Sequence, residues 1–475
     1  MQISRRELLA SALASGTTAA AAPQATANRP NILYVILEDI GPQLGCYGEP
    51  LVKTPNLDRF AAQSIRFNNC FATAPVCSAS RSALFTGCYQ TKLGTHQHRT
   101  WDWHKRTLPA PSEHLCDFFR GAGYFTCNIQ DVGAKRAKGP QGARGAGKLD
   151  LNFFSNASDK NRFFDGTDWN QRKPGQPFFA HITIMETHKG VGWTLARKQP
   201  AAELVAPDRL KLAAYYPDHP TARDEYANYL DAIHLTDGYV AQLLDRLDKD
   251  DLTDNTIVVI SSDHGPLFRG KQFLYDGGIH LPLLIRFPNG RSAGTADNQL
   301  VSSIDLAPTM LGFAGIAPPP TAMQGNNLFA PAHQPRQEIF AARDRMDISI
   351  DRMRAVRTAD FKYIRNYFPG TPYMQHNPYK ETEYPTWNLV KDLARQGKLN
   401  PDQALFAAIE KPIEELYDLK ADPDEVHNLA ADPKLKPILR ELRKRVDSFV
   451  AENDARVVPE DTVDIARGFY GEAAL

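Results

Sequence analysis

The sequence predicts an α/β fold in which a large, mostly parallel β-sheet is flanked by helices, with a smaller C-terminal α+β domain that carries a short antiparallel sheet. Three observations lead to this prediction. Continuous apolar runs of strand length recur along the chain, amphipathic helical spacing lies between them, and an alternating pattern follows a proline-rich connection. Because 475 residues exceed what one core usually holds, we expect two domains.

The large sheet is predicted from apolar runs that are typical of strands buried on both faces of a parallel sheet. These runs are "NILYVIL" (31–37), "PFFAHITIM" (177–185), "NTIVVISS" (255–262) and "LPLLIRF" (281–287). Between them, apolar side chains recur at helical spacing at Tyr229, Ile233, Val240, Leu244 and Leu247. Strands that alternate with amphipathic helices indicate a doubly wound structure, whose ligands bind beyond the carboxyl ends of the strands.

The second domain is predicted from the region after about residue 318, where a proline-rich connection begins. Residues 354–367 alternate like an antiparallel strand pair, and apolar residues from Leu435 to Phe449 mark a closing helix. We therefore expect a catalytic domain over residues 28–335 and an α+β domain over residues 336–475.

The first 27 residues are predicted to be a twin-arginine-like export signal. Arg5 and Arg6 precede a short alanine-rich run, and Ala25 and Ala27 stand where a cleavage site needs small residues. The alternative is a disordered alanine-rich tail. The run is too short for a membrane span, so we expect a periplasmic or secreted protein.

Composition excludes a nucleic-acid partner on electrostatic grounds. Basic and acidic residues are equal in number, 55 of each, so no basic surface that tracks phosphates is expected. The six cysteines have no metal-type C-x-x-C pair, and most are expected to be small buried hydrophobes.

Paired polar residues directly follow two of the predicted strands. Glu38 and Asp39 follow the first run, and Asp263 and His264 follow a later one. Taken singly, such residues are usually a solvated cap or a turn. Together at two strand ends they predict a site for a hard divalent ion, Ca²⁺ by preference and Mg²⁺ next.

Basic groups accompany these acids. Arg81, Lys148 and Lys271 supply cations, and His188 is a candidate proton donor. Taken alone, each basic side chain is more simply interpreted as a surface charge, and His188 as a loop histidine. Together with a metal they describe a site for a tetrahedral oxyanion ester, either sulfate or phosphate.

The motif "CSASR" at 77–81, followed by "SALFTG", resembles the signature of the type I sulfatases of the alkaline-phosphatase-like superfamily. The resemblance extends through "NILYVILEDIGPQLGCYG", "ETHKG", "SSDHG", "RGKQFLYDGGIHLPLLI" and "ELYDLKADPDEVHNLA". Within the family, the chain looks most like the branch of heparan N-sulfatases and related polysaccharide sulfatases.

This resemblance implies that a maturation enzyme oxidises Cys77 to formylglycine, whose hydrated aldehyde attacks the sulfur of a sulfated carbohydrate. It implies that Arg81 orients the hydrated aldehyde, and that Lys271 and His188 hold the sulfate and assist the leaving oxygen. The implied metal ligands are Glu38, Asp39, Asp263, His264 and the modified Cys77.

The sequence departs from the family pattern at several positions. Glu38 and His264 stand where Asp and Asn are usual, and Ala79 occupies a position that is most often proline. The usual Lys-x-His after "GYFTCN" is absent, and Lys148 resembles a displaced lysine of some branches. His96, His98 and Arg343 are predicted to bind substrate.

Two other functions remain open at this point. A phosphate or phosphonate ester hydrolase of the same superfamily would use similar groups, although no second Asp and His cluster indicates two-metal chemistry. A non-catalytic carbohydrate-binding relative would leave Cys77 unmodified.

Overall fold

The computed structural model describes residues 29–132, 147–156, 159, 162–266, 268–457 and 462–470. Its main feature is a seven-stranded sheet in the order β3-β4-β1-β5-β6-β2-β7. The strands are β1 (Asn31–Leu37), β2 (Ile65–Phe71), β3 (Phe125–Asn128), β4 (Phe178–Ile184), β5 (Thr256–Ser262), β6 (His280–Arg286) and β7 (Thr295–Ser302). The predicted export signal, residues 1–27, lies outside the described residues.

The predicted mostly parallel sheet is confirmed, with one exception in strand direction. The apolar runs correspond to β1, β4, β5 and β6, and β1 pairs in parallel with both β4 and β5. Strand β6 is antiparallel to both of its neighbours, β5 and β2. The apolar run of β6 indicates that both faces of the strand are buried, but it does not indicate in which direction the strand runs. In the described residues of the connection from β5, the helix is a single turn at Asp276–Ile279, and the chain turns back at the same sheet edge.

Helices cover the sheet. Their bounds are α1 (Pro55–Ala61), α2 (Cys77–Thr86), α3 (Gln90–Leu93), α4 (Leu115–Gly121), α5 (Val191–Ala196), α6 (Pro220–Lys249), α7 (Asp276–Ile279), α8 (Leu306–Phe313), α9 (Pro378–Glu383), α10 (Pro385–Arg395), α11 (Pro401–Ala404), α12 (Lys436–Asn453) and α13 (Thr462–Tyr470). The long helix predicted around 229–247 is α6. Within the described part of the chain, none of these helices has the length and apolarity to cross a membrane.

A separate four-stranded antiparallel sheet follows, in the order β11-β10-β9-β8. Its strands are β8 (Ile339–Arg343), β9 (Met353–Arg357), β10 (Phe361–Asn366) and β11 (Glu414–Asp418). Helix α12 closes this sheet, because Leu442 and Val446 pack against Val356, Tyr363 and Leu416. The alternating strand pair and the closing helix are thus confirmed, while the domain boundary after residue 335 stays a prediction.

The fold positions the functional residues through three neighbouring strands of the large sheet. β4, β1 and β5 are neighbours and run in the same direction, so their carboxyl ends meet at one edge of the sheet. All six cysteines are free; Cys46 is half-buried and the others are buried.

Two buried histidines beneath this edge make the stability depend on pH. His114 stacks on Phe85 with ring centroids 5.1 Å apart, and His181 lies on β4. Burial lowers the pKa of each imidazole from 6.5 to about 3, with a further contribution to His114 from Arg120 and to His181 from Arg81. In the unfolded chain both imidazoles bind a proton near pH 6.5, whereas in the native protein they bind one only near pH 3.

We predict that the midpoint of thermal unfolding falls as the pH drops from 7 to 5. Stability is complete above the unfolded pKa and is lost below it, by about 2 kcal/mol for each buried histidine at pH 5. The variant His114→Gln should show a smaller fall, whereas the exposed-site control His376→Gln should keep the wild-type fall. An identical pH dependence in His114→Gln and wild type would contradict this account.

Candidate active site

Cys77 is the first residue of α2 and is fully buried. Val76 before it is extended and offers no side-chain cap, so the first backbone N–H groups of the helix face the site without a capping side chain. The Cys77 Sγ atom lies 3.2 Å from His264 Nε2. The helix start favours negative charge at this position.

Asp39, Asp263 and His264 form a compact cluster beside Cys77. The Asp39 backbone N–H donates to Asp263 Oδ1 at 3.1 Å, and His264 Nε2 lies 3.1 Å from Asp39 Oδ1. Asp39 has a positive φ of 49°, in the left-handed region. This strained backbone follows the end of β1 and lets the side chain leave the alternation of the strand.

Arg81 connects the strand ends to α2. Its guanidinium is fully buried, donates from Nη2 to Glu38, and donates from Nε to Asp263 Oδ2 at 3.1 Å. Nη1 donates to Thr183 Oγ1 on β4 at 3.1 Å. One side chain thus contacts the ends of β1, β4 and β5.

Two lysines complete the set of cations. The Lys148 ammonium contacts Glu38 Oε1 and lies 3.7 Å from Asp150. The Lys271 ammonium donates to Asp39 Oδ2 at 2.8 Å and lies 3.4 Å from His188 Nε2. Lys271 belongs to the β5–β6 connection, so the reversal at β6 brings it to this edge.

Charge in this buried cluster shifts the pKa values of its members. Burial raises the pKa of the Cys77 thiol, but the positive charges of Lys148, Lys271 and His264 lower it by a larger amount. The pKa of this thiol therefore lies well below its ordinary value. Burial also raises the pKa of Glu38, and it outweighs the opposing effect of Arg81. For Asp39, Lys271 and His264 overcome burial and lower the pKa.

The donor atoms fit a metal ion at one position. Ligand atoms of Asp39, Cys77, Asp263 and His264 all lie within 4.8 Å of one another, and those of Glu38, Asp39, Cys77 and His188 form an overlapping group. Asp39 Oδ1 is buried and lies 3.1 Å from His264 Nε2, but it accepts no hydrogen bond from the residues that the structure describes. Carboxylate oxygens suit a hard cation. The Cys77 thiol, before any modification, is the donor that suits it least.

Glu38 and Asp39 contact different protein cations, although their ligand atoms lie within 4.8 Å of one another. Both Glu38 oxygens contact protein cations, Arg81 and Lys148, whereas Asp39 turns to Lys271 and His264. Because each buried carboxylate already has a cationic partner, burial alone does not require a metal. Glu38 as a metal ligand stays a prediction.

The three predicted substrate residues have the following surroundings. His96 lines a cavity of about 860 Å³. His98 Nδ1 lies 3.1 Å from Asp347 Oδ1. Arg343 is buried on β8, where its Nη1 donates to Asp351 at 2.6 Å. Their roles in substrate binding stay predictions.

The structure adds two residues that sequence reasoning missed. The ring of Tyr379 on α9 lies 6.1 Å from the His188 ring, and the Lys271 ammonium lies 5.2 Å from the Tyr379 ring centroid. Thr183 accepts from Arg81 at 3.1 Å. Tyr379 comes from a distant part of the chain, and no sequence periodicity indicates its position in the site. Thr183 could have been found, because a polar residue inside an apolar run is a recognisable signal.

Comparison with known proteins gives this arrangement a family. The sulfatase family model matches residues 30–316, which is more than half of the chain and includes Cys77, Asp263 and His264. The chain belongs to the sulfatase family. A second model, the C-terminal region of N-sulphoglucosamine sulphohydrolase, matches residues 263–382. The sequence-based resemblance to the sulfatases is thus confirmed, and the protein is a sulfuric ester hydrolase by family.

Curated relatives of this sulfatase include an ulvan-active sulfatase of Formosa agariphila, 33% identical over 91% of this chain and 76% of the relative. Human N-acetylgalactosamine-6-sulfatase is 29% identical over 66% of this chain and 67% of its own length.

Solved structures share the fold. BT4656, solved in complex with its substrate D-glucosamine-2-N,6-O-disulfate, is 20% identical with a TM-score of 0.59 over 90% of this chain and 98% of its own. A phosphonate monoester hydrolase of Agrobacterium radiobacter is 18% identical with a TM-score of 0.63 over 90% of this chain and 96% of its own. At these identities the likeness concerns the fold alone.

Proposed function

We propose that this sulfatase releases sulfate from a sulfated sugar or polysaccharide, through a formylglycine made from Cys77 and with a bound divalent ion. The observation that carries the proposal is the position of Cys77, at a helix start and among Arg81, Lys148 and Lys271. Polysaccharide substrates are supported by the ulvan-active and N-acetylgalactosamine-6-sulfatase relatives.

Conversion of Cys77 by a maturation enzyme would replace a buried thiol with an aldehyde, whose hydrate supplies the oxygen nucleophile for the sulfur. The chain's own groups prepare its surroundings. The N-terminus of α2 and the buried Arg81 favour negative charge on an oxygen at this position.

Lys148 and Lys271 are positioned to hold the sulfate. Their ammonium groups raise the positive potential at Cys77 enough to lower its thiol pKa despite full burial. The same field stabilises the charge that spreads over the sulfuryl oxygens as the S–O bond to the sugar breaks. Both lysines are held by buried carboxylates, so little reorganisation is needed when the substrate binds.

His188 is positioned to give a proton to the departing sugar oxygen. Its Nδ1 lies 3.0 Å from the Lys189 carbonyl oxygen, which assigns an N–H to that nitrogen. In the neutral ring, Nε2 then carries the lone pair and can accept a hydrogen bond from Lys271. In the protonated ring, Nε2 carries the proton that can be transferred. The proton therefore leaves from the Nε2 side, which lies 3.4 Å from Lys271.

We assign the metal to Asp39, Asp263 and His264, with Glu38 as a further candidate ligand. Ca²⁺ is preferred because the donors are mainly carboxylate oxygens, and Mg²⁺ is the alternative. When bound, the ion supplies Lewis-acid polarisation of a sulfuryl oxygen. Both candidate metal groups share Asp39 and Cys77, so within the described residues they form one centre, which weighs against two-metal phosphatase chemistry.

We propose a periplasmic or secreted location, on the basis of the twin-arginine-like segment at residues 1–27.

The first prediction of the proposed function concerns Cys77. Cys77→Ala should abolish sulfate release while leaving the thermal unfolding midpoint close to wild type, because one small helix-start residue replaces another. Cys77→Ser should behave alike unless the host has a maturation enzyme that accepts serine. The control Cys88→Ala removes a buried thiol that bonds the Ala322 carbonyl, and should keep turnover. Near-normal turnover by Cys77→Ala would contradict the formylglycine mechanism.

A second prediction concerns Lys148. Lys148→Ala should lower kcat by roughly a hundredfold or more, because the contact is made chiefly in the transition state. Glu38 keeps Arg81 as a partner, so the fold should survive. Lys271→Ala should be similarly impaired, and the exposed Lys92→Ala is the control. If Lys148→Ala turns over at the wild-type rate while Lys271→Ala does not, the assignment of Lys148 is wrong.

The third prediction concerns the metal. Elemental analysis of active enzyme should find about one divalent ion per chain, which Asp39→Asn and Asp263→Asn variants should lose and the exposed Asp254→Asn control should keep. Active wild-type enzyme with no stoichiometric divalent ion would reject the metal assignment.

A further inference from the structure

Arg99 is an exposed residue in the loop that borders the start of α2. Its backbone N–H donates to Ser78 Oγ at 2.7 Å, and Ser78 is the residue after Cys77. Arg99 has a φ of 53°, in the left-handed region that costs energy for a residue with a Cβ. The chain thus holds this arginine beside the start of α2 in a strained conformation.

The loop that carries Arg99 is fixed on its other side by the C-terminal region. The His98 backbone N–H donates to the Arg345 carbonyl at 3.0 Å, and the Arg345 N–H donates to Gln97 Oε1 at 2.8 Å. His98 also pairs with Asp347 at 3.1 Å. The backbone at Arg99 is therefore rigidly placed between α2 and the C-terminal region.

The guanidinium itself is free to take a ligand. Among the residues that the structure describes, no carboxylate lies within 4.0 Å of it, and no hydrogen bond involves its nitrogen atoms. The two carboxylates that act on Arg99 electrostatically have other partners. Asp150 lies 3.7 Å from the Lys148 ammonium, and Asp347 pairs with His98. Partial desolvation of the guanidinium lowers the pKa of Arg99, but Asp150, Cys77 and Asp347 outweigh it and raise the pKa above its ordinary value, which agrees with a position near the reacting residue.

We propose that Arg99 binds a second anionic group of the substrate, a carboxylate or a further sulfate on the sugar unit beside the reacting sulfate, and so selects polyanionic chains. This inference rests on the proposed function. The buried Arg81 and Lys271 and the half-buried Lys148 serve the reacting sulfate, whereas Arg99 is exposed at the rim, where the rest of a sugar chain would lie. Its planar fork suits a carboxylate or sulfate, which it binds with two parallel hydrogen bonds.

The test compares substrates that differ only in the second charge. Arg99→Gln, Arg99→Lys and the control Arg59→Gln, an exposed arginine on α1, are assayed on three sulfated disaccharides. One carries a neighbouring uronate, one a second sulfate and one no second charge. Arg99→Gln should lower kcat/KM about 10- to 100-fold, mainly through KM, on the dianionic substrate that the site accepts. The uronate and disulfate arms distinguish the two sources of the anion.

On the monosulfated disaccharide, Arg99→Gln should stay within about twofold of wild type, and Arg99→Lys should recover part of the loss on the dianionic one. An equal loss on all three substrates, or no loss on any, overturns the proposal.

A binding measurement separates this inference from the proposed function. Calorimetry in the Cys77→Ala background compares the same disaccharides with and without Arg99→Gln, and requires no turnover. Weaker binding of a dianionic disaccharide alone supports the role of Arg99, and unchanged binding overturns it. If wild-type enzyme releases no sulfate from any of them, the proposed function fails, while the binding result still decides the inference.

Discussion

The buried pairing of Arg81 with Glu38 and Asp263 is the interaction on which the rest of the site depends. All three side chains are fully buried, and they come from the middle of α2 and from two strand ends. Removing one partner of such a buried pair costs about 3–5 kcal/mol, because the remaining charge has no water. The pairing therefore fixes α2, and Cys77 with it, against the edge of the sheet where β1, β4 and β5 end.

Strand direction then decides which other groups reach Cys77. The parallel neighbours β1 and β5 deliver carboxylates to one edge, and the reversal into antiparallel β6 returns the connection that carries Lys271 to the same edge. The C-terminal region closes the opposite side, where Met346 packs against Val76 and Ala79 and Tyr379 borders His188. Residues of the C-terminal region therefore border the site together with those at the edge of the large sheet.

Much of this could be predicted from sequence because burial and strand ends leave strong local signals. The apolar run at 31–37 predicted β1, and the acids after it lie in the site. The direction of β6 was not predictable, because a run buried on both faces looks the same in either direction. The partners of Glu38 were not predictable either: spacing places a carboxylate at an edge but does not say whether it faces a lysine or a metal. Tyr379 and Arg99 depend on tertiary packing and on a positive φ, which no periodicity records.

The central claim is that Cys77 is the precursor of the catalytic group, and the mass of the tryptic peptide from residue 67 to Arg81 tests it most directly. The peptide is taken from active enzyme purified from its natural host. The account predicts that this peptide lacks one sulfur and two hydrogens and has gained one oxygen, as conversion of the Cys77 thiol to an aldehyde requires, while Cys70 in the same peptide is unchanged. An intact Cys77 thiol in enzyme that releases sulfate would contradict it.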